Sequence, residues 1–231
     1  FRGARDETLF RAGGAKGPQR VLLVGLGKVD NVTAAMRRAA SVGARQARKA
    51  GATSLAWFAE EQSDAVVEAV AVGLTLGSWE YTTTRSEPPE DERRAALESA
   101  QILVSDEARA GKVVARGAAI GAVMNLARQL SMLPGNICTP EFLATTARDI
   151  AKRHGMRVDV LGREEMEAEK MGSFLAVAQG TTQDPKLIAL EHRKGAAGSK
   201  PVVLVGKGLC FDTGGISIKP AQGMEAMKFD M

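Results

Sequence analysis

The stretch of sequence that decides the fold lies at residues 201–231 and reads PVVLVGKGLCFDTGGISIKPAQGMEAMKFDM. Its apolar run at 202–205 is typical of a buried strand. The run ends at Lys207, whose flanking glycines would let the backbone approach a bound ion. Asp212 then stands before two glycines, and Lys219 follows seven positions later. The pattern predicts a strand that presents amine and carboxylate groups at its end.

These residue types suit metal-assisted chemistry. Asp212 and Asp230 would supply the hard oxygen ligands that divalent ions prefer. Lys207 could bind a metal only as a neutral amine, which a nearby dication would favour by lowering its pKa. Lys219 could stay charged and polarise a carbonyl. Composition and spacing alone leave the plainer alternative open, namely a strand, a glycine turn and a helix with ordinary surface charges.

The composition is that of a soluble globular protein. Of 231 residues, 45% are hydrophobic and 25% are charged, and no apolar run approaches the roughly 20 residues that cross a bilayer. The net charge of +4 is spread along the chain, which favours a solvated surface over a nucleic-acid footprint. Two cysteines are too few for a disulfide framework, so we expect a reducing, cytoplasmic setting. Because the chain begins with Phe1 rather than Met, we expect that the native start, and any targeting segment with it, is missing.

Strand-like and helix-like segments alternate along the chain, which predicts an α/β fold with a mostly parallel N-terminal sheet. The predicted strands are 20–27, 52–59, 101–105, 157–161, 187–190 and 202–205. Helices are predicted from Asp30 or Asn31 to Ala50, over 65–76, over 106–130 or from just after Gly111, and after Thr139. We expect an N-terminal α/β domain at 1–115, a linker helix at 116–138 and the start of a second domain at 139–231.

The chain closely resembles the leucyl, or cytosol, aminopeptidases, a family of two-metal peptidases. The pattern V-G-K-G-x-x-F-D-[ST]-G-G-x-S-x-K at 205–219, followed by M-x-x-M-K-x-D-M at 224–231, carries the resemblance. Further matches are RVLLVGLGK at 20–28, NLAR at 125–128 and MGSFLAVAQG at 171–180. Cys210 stands where threonine is frequent and Thr213 where serine is usual, and neither is a ligand position in the family.

The resemblance implies roles for five residues. Lys207 and Asp230 would ligate one of two divalent ions, manganese or zinc, and Asp212 would bridge both. Lys219 would be the catalytic lysine that contacts the substrate carbonyl. Met227 would line the pocket for the first substrate side chain, together with Lys207, Asp212 and Lys219 in the substrate site. Met224 and Met227 also lie on one helical face, so a plain core role for Met227 stays open.

For the whole protein, the resemblance implies a homohexamer that releases leucine-like N-terminal residues from peptides and binds no membrane. The second domain, the start of an α/β metallopeptidase domain, would be truncated, because the family's downstream Asp-x-Glu-x-Arg segment does not occur in these 231 residues. We therefore expect this chain by itself to be inactive. The alternative is a non-catalytic relative with a DNA-binding or structural role. The retained lysines and aspartates of the site argue against that alternative.

Overall fold

The computed structural model describes residues 1–59, 62–90, 93, 96–196 and 198–230, with Asp230 described through its backbone alone. Two compact units are present, Phe1–Gln129 and Leu130–Met231. They divide inside the range 116–138, and the assignment of 1–115, 116–138 and 139–231 to two domains and a linker stays a prediction. No helix in the described part of the chain is long and apolar enough to cross a membrane.

The first unit mixes helices and strands, which confirms the α/β class. Its elements are β1 (Thr8–Ala12), β2 (Arg20–Val24), α1 (Val32–Lys49), β3 (Ser54–Trp57), α2 (Asp64–Ser78), β4 (Ser99–Ile102) and most of α3 (Glu107–Met132). β3 and β4 pair in parallel, as predicted, and Ser54 lies opposite Ser99. The prediction of a mostly parallel sheet needs a correction at β1 and β2, which pair antiparallel in a sheet of their own. The link between these two strands is short enough for a hairpin, whereas a parallel pair requires a long crossover.

Helices α1 and α2 form the core of the first unit. Asn31 begins α1, because its side-chain oxygen accepts a hydrogen bond from the backbone N–H of Ala34 at 2.8 Å. The two helices pack so closely that a Cβ on Gly73 would lie 2.1 Å from the carbonyl oxygen of Arg37. The buried core consists of small and medium apolar side chains: Met36, Ala40, Ala44, Val66, Val70 and Leu74.

Helix α3 is continuous from Glu107, so the alternative start after Gly111 is wrong. The side chain of Asp106 accepts a hydrogen bond from the backbone N–H of Arg109 at 3.1 Å, which stabilises the first turn before Gly111 is reached. Further along, Gly117 lies against α2, where an added Cβ would be 2.6 Å from the carbonyl oxygen of Glu68. Gly117 therefore allows α3 to pack closely against α2, and it does not end the helix.

The second unit begins with the last residues of α3, which are followed by a turn and then by helix α4 (Pro140–His154). Thr139 accepts a hydrogen bond from the backbone N–H of Phe142, and Gly155 ends the helix in the left-handed conformation with φ +61°. The other elements are β5 (Arg157–Leu161), α5 (Arg163–Ala168), α6 (Gly172–Val177), β6 (Leu187–Glu191) and a 3₁₀ helix at Met224–Asp230. β5 and β6 pair antiparallel.

The predicted strand at 202–205 is wrong: these residues form no strand. These residues are 74–94% exposed, and neither β5 nor β6 pairs with them. An apolar run of this kind is stable as a strand only when neighbours accept its backbone hydrogen bonds and cover its faces. The described part of the chain provides no such neighbour at this position.

Candidate functional site

The loop from Asp212 to Lys219 is closed by its own hydrogen bonds. The backbone N–H of Lys219 donates to the carbonyl oxygen of Thr213 at 2.9 Å. The backbone N–H of Gly214 donates to the Asp212 carboxylate, at 2.8 Å from Oδ1. Gly214 has φ +95°, and a Cβ there would lie 2.3 Å from the carbonyl oxygen of Ser217. Only glycine fits this position, because both the φ angle and the close approach exclude a side chain.

Loop closure brings three of the predicted site residues into contact. The Lys219 ammonium donates to the Asp212 carboxylate, with Nζ 2.9 Å from Oδ2. The same Nζ lies 3.1 Å from the thioether sulfur of Met227. The side chains of Lys219 and Asp212 are 32% and 33% exposed, so the ion pair lies at the surface but is partly shielded from water.

The electrostatics keep Asp212 ionised. The hydrogen bond from Lys219 lowers the pKa of Asp212 below its usual value, and the hydrogen bond from Gly214 adds to this effect. The positive charge of Lys207 acts in the same direction and is a smaller cause. Lys207 itself is exposed. At neutral pH the site therefore presents a carboxylate, which is the form that binds a cation.

The donor groups at this site fit a divalent metal in type. Asp212 provides a hard carboxylate, and Lys207 is near enough for its charge to act on that carboxylate. Among the described residues, no group of three or more His, Cys, Asp or Glu side chains could hold a metal ion. The side chain of Asp230, predicted as a further ligand, lies outside the described residues. The roles of Lys207, Asp212, Asp230, Lys219 and Met227 in catalysis and binding stay predictions.

Met227 lies in the 3₁₀ helix and is half-buried, as is Met224. Sequence reasoning missed the group that holds this short helix in place. The Lys228 ammonium donates to the carbonyl oxygen of Met132 at 3.0 Å and lies 5.1 Å from the centre of the Phe229 ring. A lone lysine beside a methionine gives no sequence signal for a bond to a residue 96 positions earlier.

A second contact supports the start of the loop. A Cβ on Gly135 would lie 3.1 Å from Cβ of Phe211, so the turn before α4 packs against the residue that precedes Asp212. Cys138 ends this turn and is buried, and burial raises the pKa of its thiol to about 11, with a smaller contribution from Cys210. Cys210 is half-buried rather than exposed, and burial raises its pKa as well. The two cysteines form no disulfide.

The fold and the site together define a two-unit α/β protein with an ion pair, Asp212 and Lys219, on a closed glycine loop in the second unit. Two family models match this chain: the catalytic domain of the cytosol aminopeptidase family at residues 125–231 and the N-terminal domain of the same family at residues 1–88. The chain belongs to the cytosol aminopeptidase family. The resemblance seen in the sequence is confirmed.

Curated relatives agree with this assignment. A probable cytosol aminopeptidase of Paraburkholderia phymatum is 42% identical over 222 residues, which are 93% of this chain and 44% of the relative. A probable cytosol aminopeptidase of Cupriavidus pinatubonensis is 41% identical over 251 residues, with 100% of this chain and 48% of the relative covered. The chain thus spans less than half the length of the curated relatives that it matches.

Solved structures show the same fold. The bottromycin maturation enzyme BotP in complex with Mn matches with a TM-score of 0.81 at 27% identity, covering 100% of this chain and 48% of that one. A mutant of tomato leucine aminopeptidase matches with a TM-score of 0.70 at 28% identity, covering 81% and 38%. These likenesses confirm the α/β fold.

Proposed function

We propose that the full-length protein is a metal-dependent aminopeptidase that releases leucine-like N-terminal residues from peptides. The observation that carries this proposal is the position of the Lys219 ammonium, 2.9 Å from Asp212 and 3.1 Å from the sulfur of Met227. A charged hydrogen-bond donor is therefore in contact with both a carboxylate and an apolar side chain at this site. The names of the curated relatives support the reaction, and the Mn complex of BotP supports a divalent metal.

Each residue has a distinct role in this proposal. Asp212, Lys207 and Asp230 would hold two divalent ions, manganese or zinc, with Asp212 shared between the ions and Lys207 and Asp230 serving one of them. When bound, the two ions would supply an activated water and polarise the scissile carbonyl. Lys219 donates a hydrogen bond to the carbonyl oxygen and stabilises the negative charge that develops there. Met227 lines the pocket for the first side chain of the substrate.

The proposal extends to the rest of the protein. The remaining metal-binding carboxylates would lie in the region of the full-length protein that corresponds to the part of the relatives not covered by this chain. We further infer a homohexamer acting on peptides in the cytoplasm. The name that the relatives share, probable cytosol aminopeptidase, supports that location.

Release of leucine from leucine amide by the full-length gene product, with Mn²⁺ or Zn²⁺ added, tests the proposal. Loss of one preorganised charge donor typically lowers turnover by about 10²–10³-fold, and we expect a loss of that size for Lys219→Gln. Lys200→Gln is the matched control, since Lys200 is exposed and lies outside the loop. The 231-residue chain alone should hydrolyse the substrate no faster than buffer. Unchanged turnover in Lys219→Gln, or turnover that needs no metal, would contradict the proposal.

A further inference from the structure

A pocket in the first unit opens where the parallel strands β3 and β4 end. We call it the strand-end pocket. Residues at and just after the two strand ends, together with the start of α2, form its mostly apolar walls, which include Trp57, Ala59, Val66, Ile102, Leu103 and Val104. Ligands of α/β proteins commonly bind outside the carboxyl ends of parallel strands. The position therefore suits a binding site.

The indole Nε1 of Trp57 is buried and has no hydrogen-bond partner among the described residues. The opposite edge of the same ring faces α1, since Cζ3 would lie 2.9 Å from a Cβ on Gly43. The N–H is therefore directed away from α1, and Trp57 lines the strand-end pocket. Because nearly all buried donors in proteins are paired, an acceptor that reaches this N–H from outside the chain would be stabilised there.

Hydrogen bonds between the two strand ends hold the walls of the pocket in place. The carbonyl oxygen of Trp57 accepts from the backbone N–H of Leu103 at 2.9 Å. Gln62 also lines the pocket, and its Oε1 accepts from the backbone N–H of Ser105 at 2.9 Å and from the Ser105 hydroxyl at 3.2 Å. The Gln62 oxygen is thus committed to Ser105 rather than to the indole N–H, and the pocket is preformed.

We propose that the strand-end pocket binds a small, uncharged molecule with a carbonyl group, whose oxygen accepts a hydrogen bond from the indole N–H of Trp57. The enclosed part of the pocket has room for about one water-sized group, which fits a single oxygen atom. Leu103 lines the pocket and is 49% exposed, so the apolar body of the ligand would rest against this open side.

The walls also decide the charge of the ligand. None of the described residues that line the pocket carries a charge, so an ionic group would lose its hydration without gaining a charged partner. A neutral carbonyl needs one donor, and the indole N–H supplies it. This inference goes beyond the proposed function and does not depend on the metal site.

Two probes of matched shape test the role of the carbonyl. 3-Methyl-2-butanone has the acceptor, whereas 2,3-dimethyl-1-butene has a CH₂ group in place of the oxygen. Saturation-transfer NMR of the ligand signals measures the affinity of each probe for the full-length gene product. The affinity of the alkene reports on the apolar walls alone, so the ratio of the two affinities isolates the hydrogen bond.

Trp57→Phe removes the N–H and keeps an aromatic ring. In this variant the affinity of the ketone relative to the alkene should fall about three- to tenfold, because the carbonyl loses its donor. Trp79→Phe is the matched control and should leave the ratio unchanged. Trp79 follows the other end of α2, where the Arg128 guanidinium lies 4.1 Å from the centre of its ring.

A crystal of the wild-type, full-length gene product soaked with the ketone provides a second measurement that needs no variant. The ketone oxygen should lie about 2.7–3.2 Å from Nε1 of Trp57.

A ketone preference that falls in Trp57→Phe but not in Trp79→Phe, with the ketone oxygen on the indole N–H in the crystal, supports the inference. The same ratio of affinities in the wild type and in Trp57→Phe overturns it. A water molecule on the indole N–H of the soaked crystal, with no ketone in the pocket, also overturns it. Either failure leaves the proposed function standing, because that function is measured separately by release of leucine from leucine amide.

Discussion

Replacing Gly214 with alanine tests whether the closed loop around Asp212 produces the activity. The φ of +95° lies outside the small left-handed region that other residues tolerate, and such strain costs about 1–3 kcal/mol. The new Cβ would also lie 2.3 Å from the carbonyl oxygen of Ser217 and 3.1 Å from the backbone nitrogen of Lys219. Crowding of that kind adds about 1–3 kcal/mol. Strain and crowding together would destabilise the closed loop by about 3 kcal/mol, so that the loop opens and Lys219 separates from Asp212. A destabilisation of that size corresponds to a loss of about 100-fold in kcat/KM.

Two other glycines provide graded controls. A Cβ on Gly215 meets nothing within 4 Å, but its φ of +67° makes alanine cost about 1–2 kcal/mol. Gly172 also has open space, and its φ is not positive, so alanine there should be nearly neutral. In the full-length gene product, kcat/KM for leucine amide at saturating Mn²⁺ should fall in the order Gly172→Ala, Gly215→Ala, Gly214→Ala. If Gly214→Ala matched Gly172→Ala, the closed loop would not be the active arrangement.

Three further predictions concern stability and thiol chemistry. Gly73→Ala should lower the free energy of unfolding by about 2 kcal/mol, since crowding against α1 outweighs the gain in helix propensity. The same change at Gly111, where a Cβ meets nothing within 4 Å, should raise it by about 0.5–1 kcal/mol. If thermal unfolding showed the same change in stability for Gly73→Ala and Gly111→Ala, the close contact between α1 and α2 would be refuted. Thr139→Ala should lower the free energy of unfolding by about 1 kcal/mol, because it removes the N-terminal cap of α4, and Thr139→Ser should lower it by less. If Thr139→Ala left the free energy of urea unfolding unchanged, Thr139 would not cap the helix. Because its pKa is raised from 9.0 to about 11, Cys138 should react with iodoacetamide at pH 8 about 100-fold more slowly than an ordinary thiol. The free energy of unfolding that the protonated thiol contributes should be lost as the pH rises from 9 through 11. Rapid alkylation of Cys138 in the folded protein would show that it is not buried.

Helices with local end signals could be predicted from the sequence. Asn31 before α1 and Thr139 before α4 act on backbone groups three residues away, so their effect is visible in the sequence itself. Strand pairing depends on partners elsewhere in the chain. For that reason the sequence does not predict β1, and the strand predicted at 202–205 does not form in the described part of the chain.

The residues of the candidate site could be named from the family pattern, but their arrangement could not. The pattern places Asp212 and Lys219 in one motif and says nothing about which groups they contact. Their ion pair depends on the turn at Gly214 and on the hydrogen bond from Lys219 to Thr213. Both features are set by backbone dihedral angles that neighbouring side chains do not specify.

The exposed run at 202–205 also has a consequence for handling the protein. Four consecutive apolar residues, three of them β-branched, leave backbone N–H and C=O groups that a strand from another molecule could pair with. The run has the high β-propensity and lack of charge that favour such pairing, and Pro201 and Gly206 limit its length to four residues. Lys200 and Lys207 stand on either side of it, and like charges brought together by stacking would repel. Colloidal stability of this chain should therefore decline at high salt, where that repulsion is screened, and at high protein concentration.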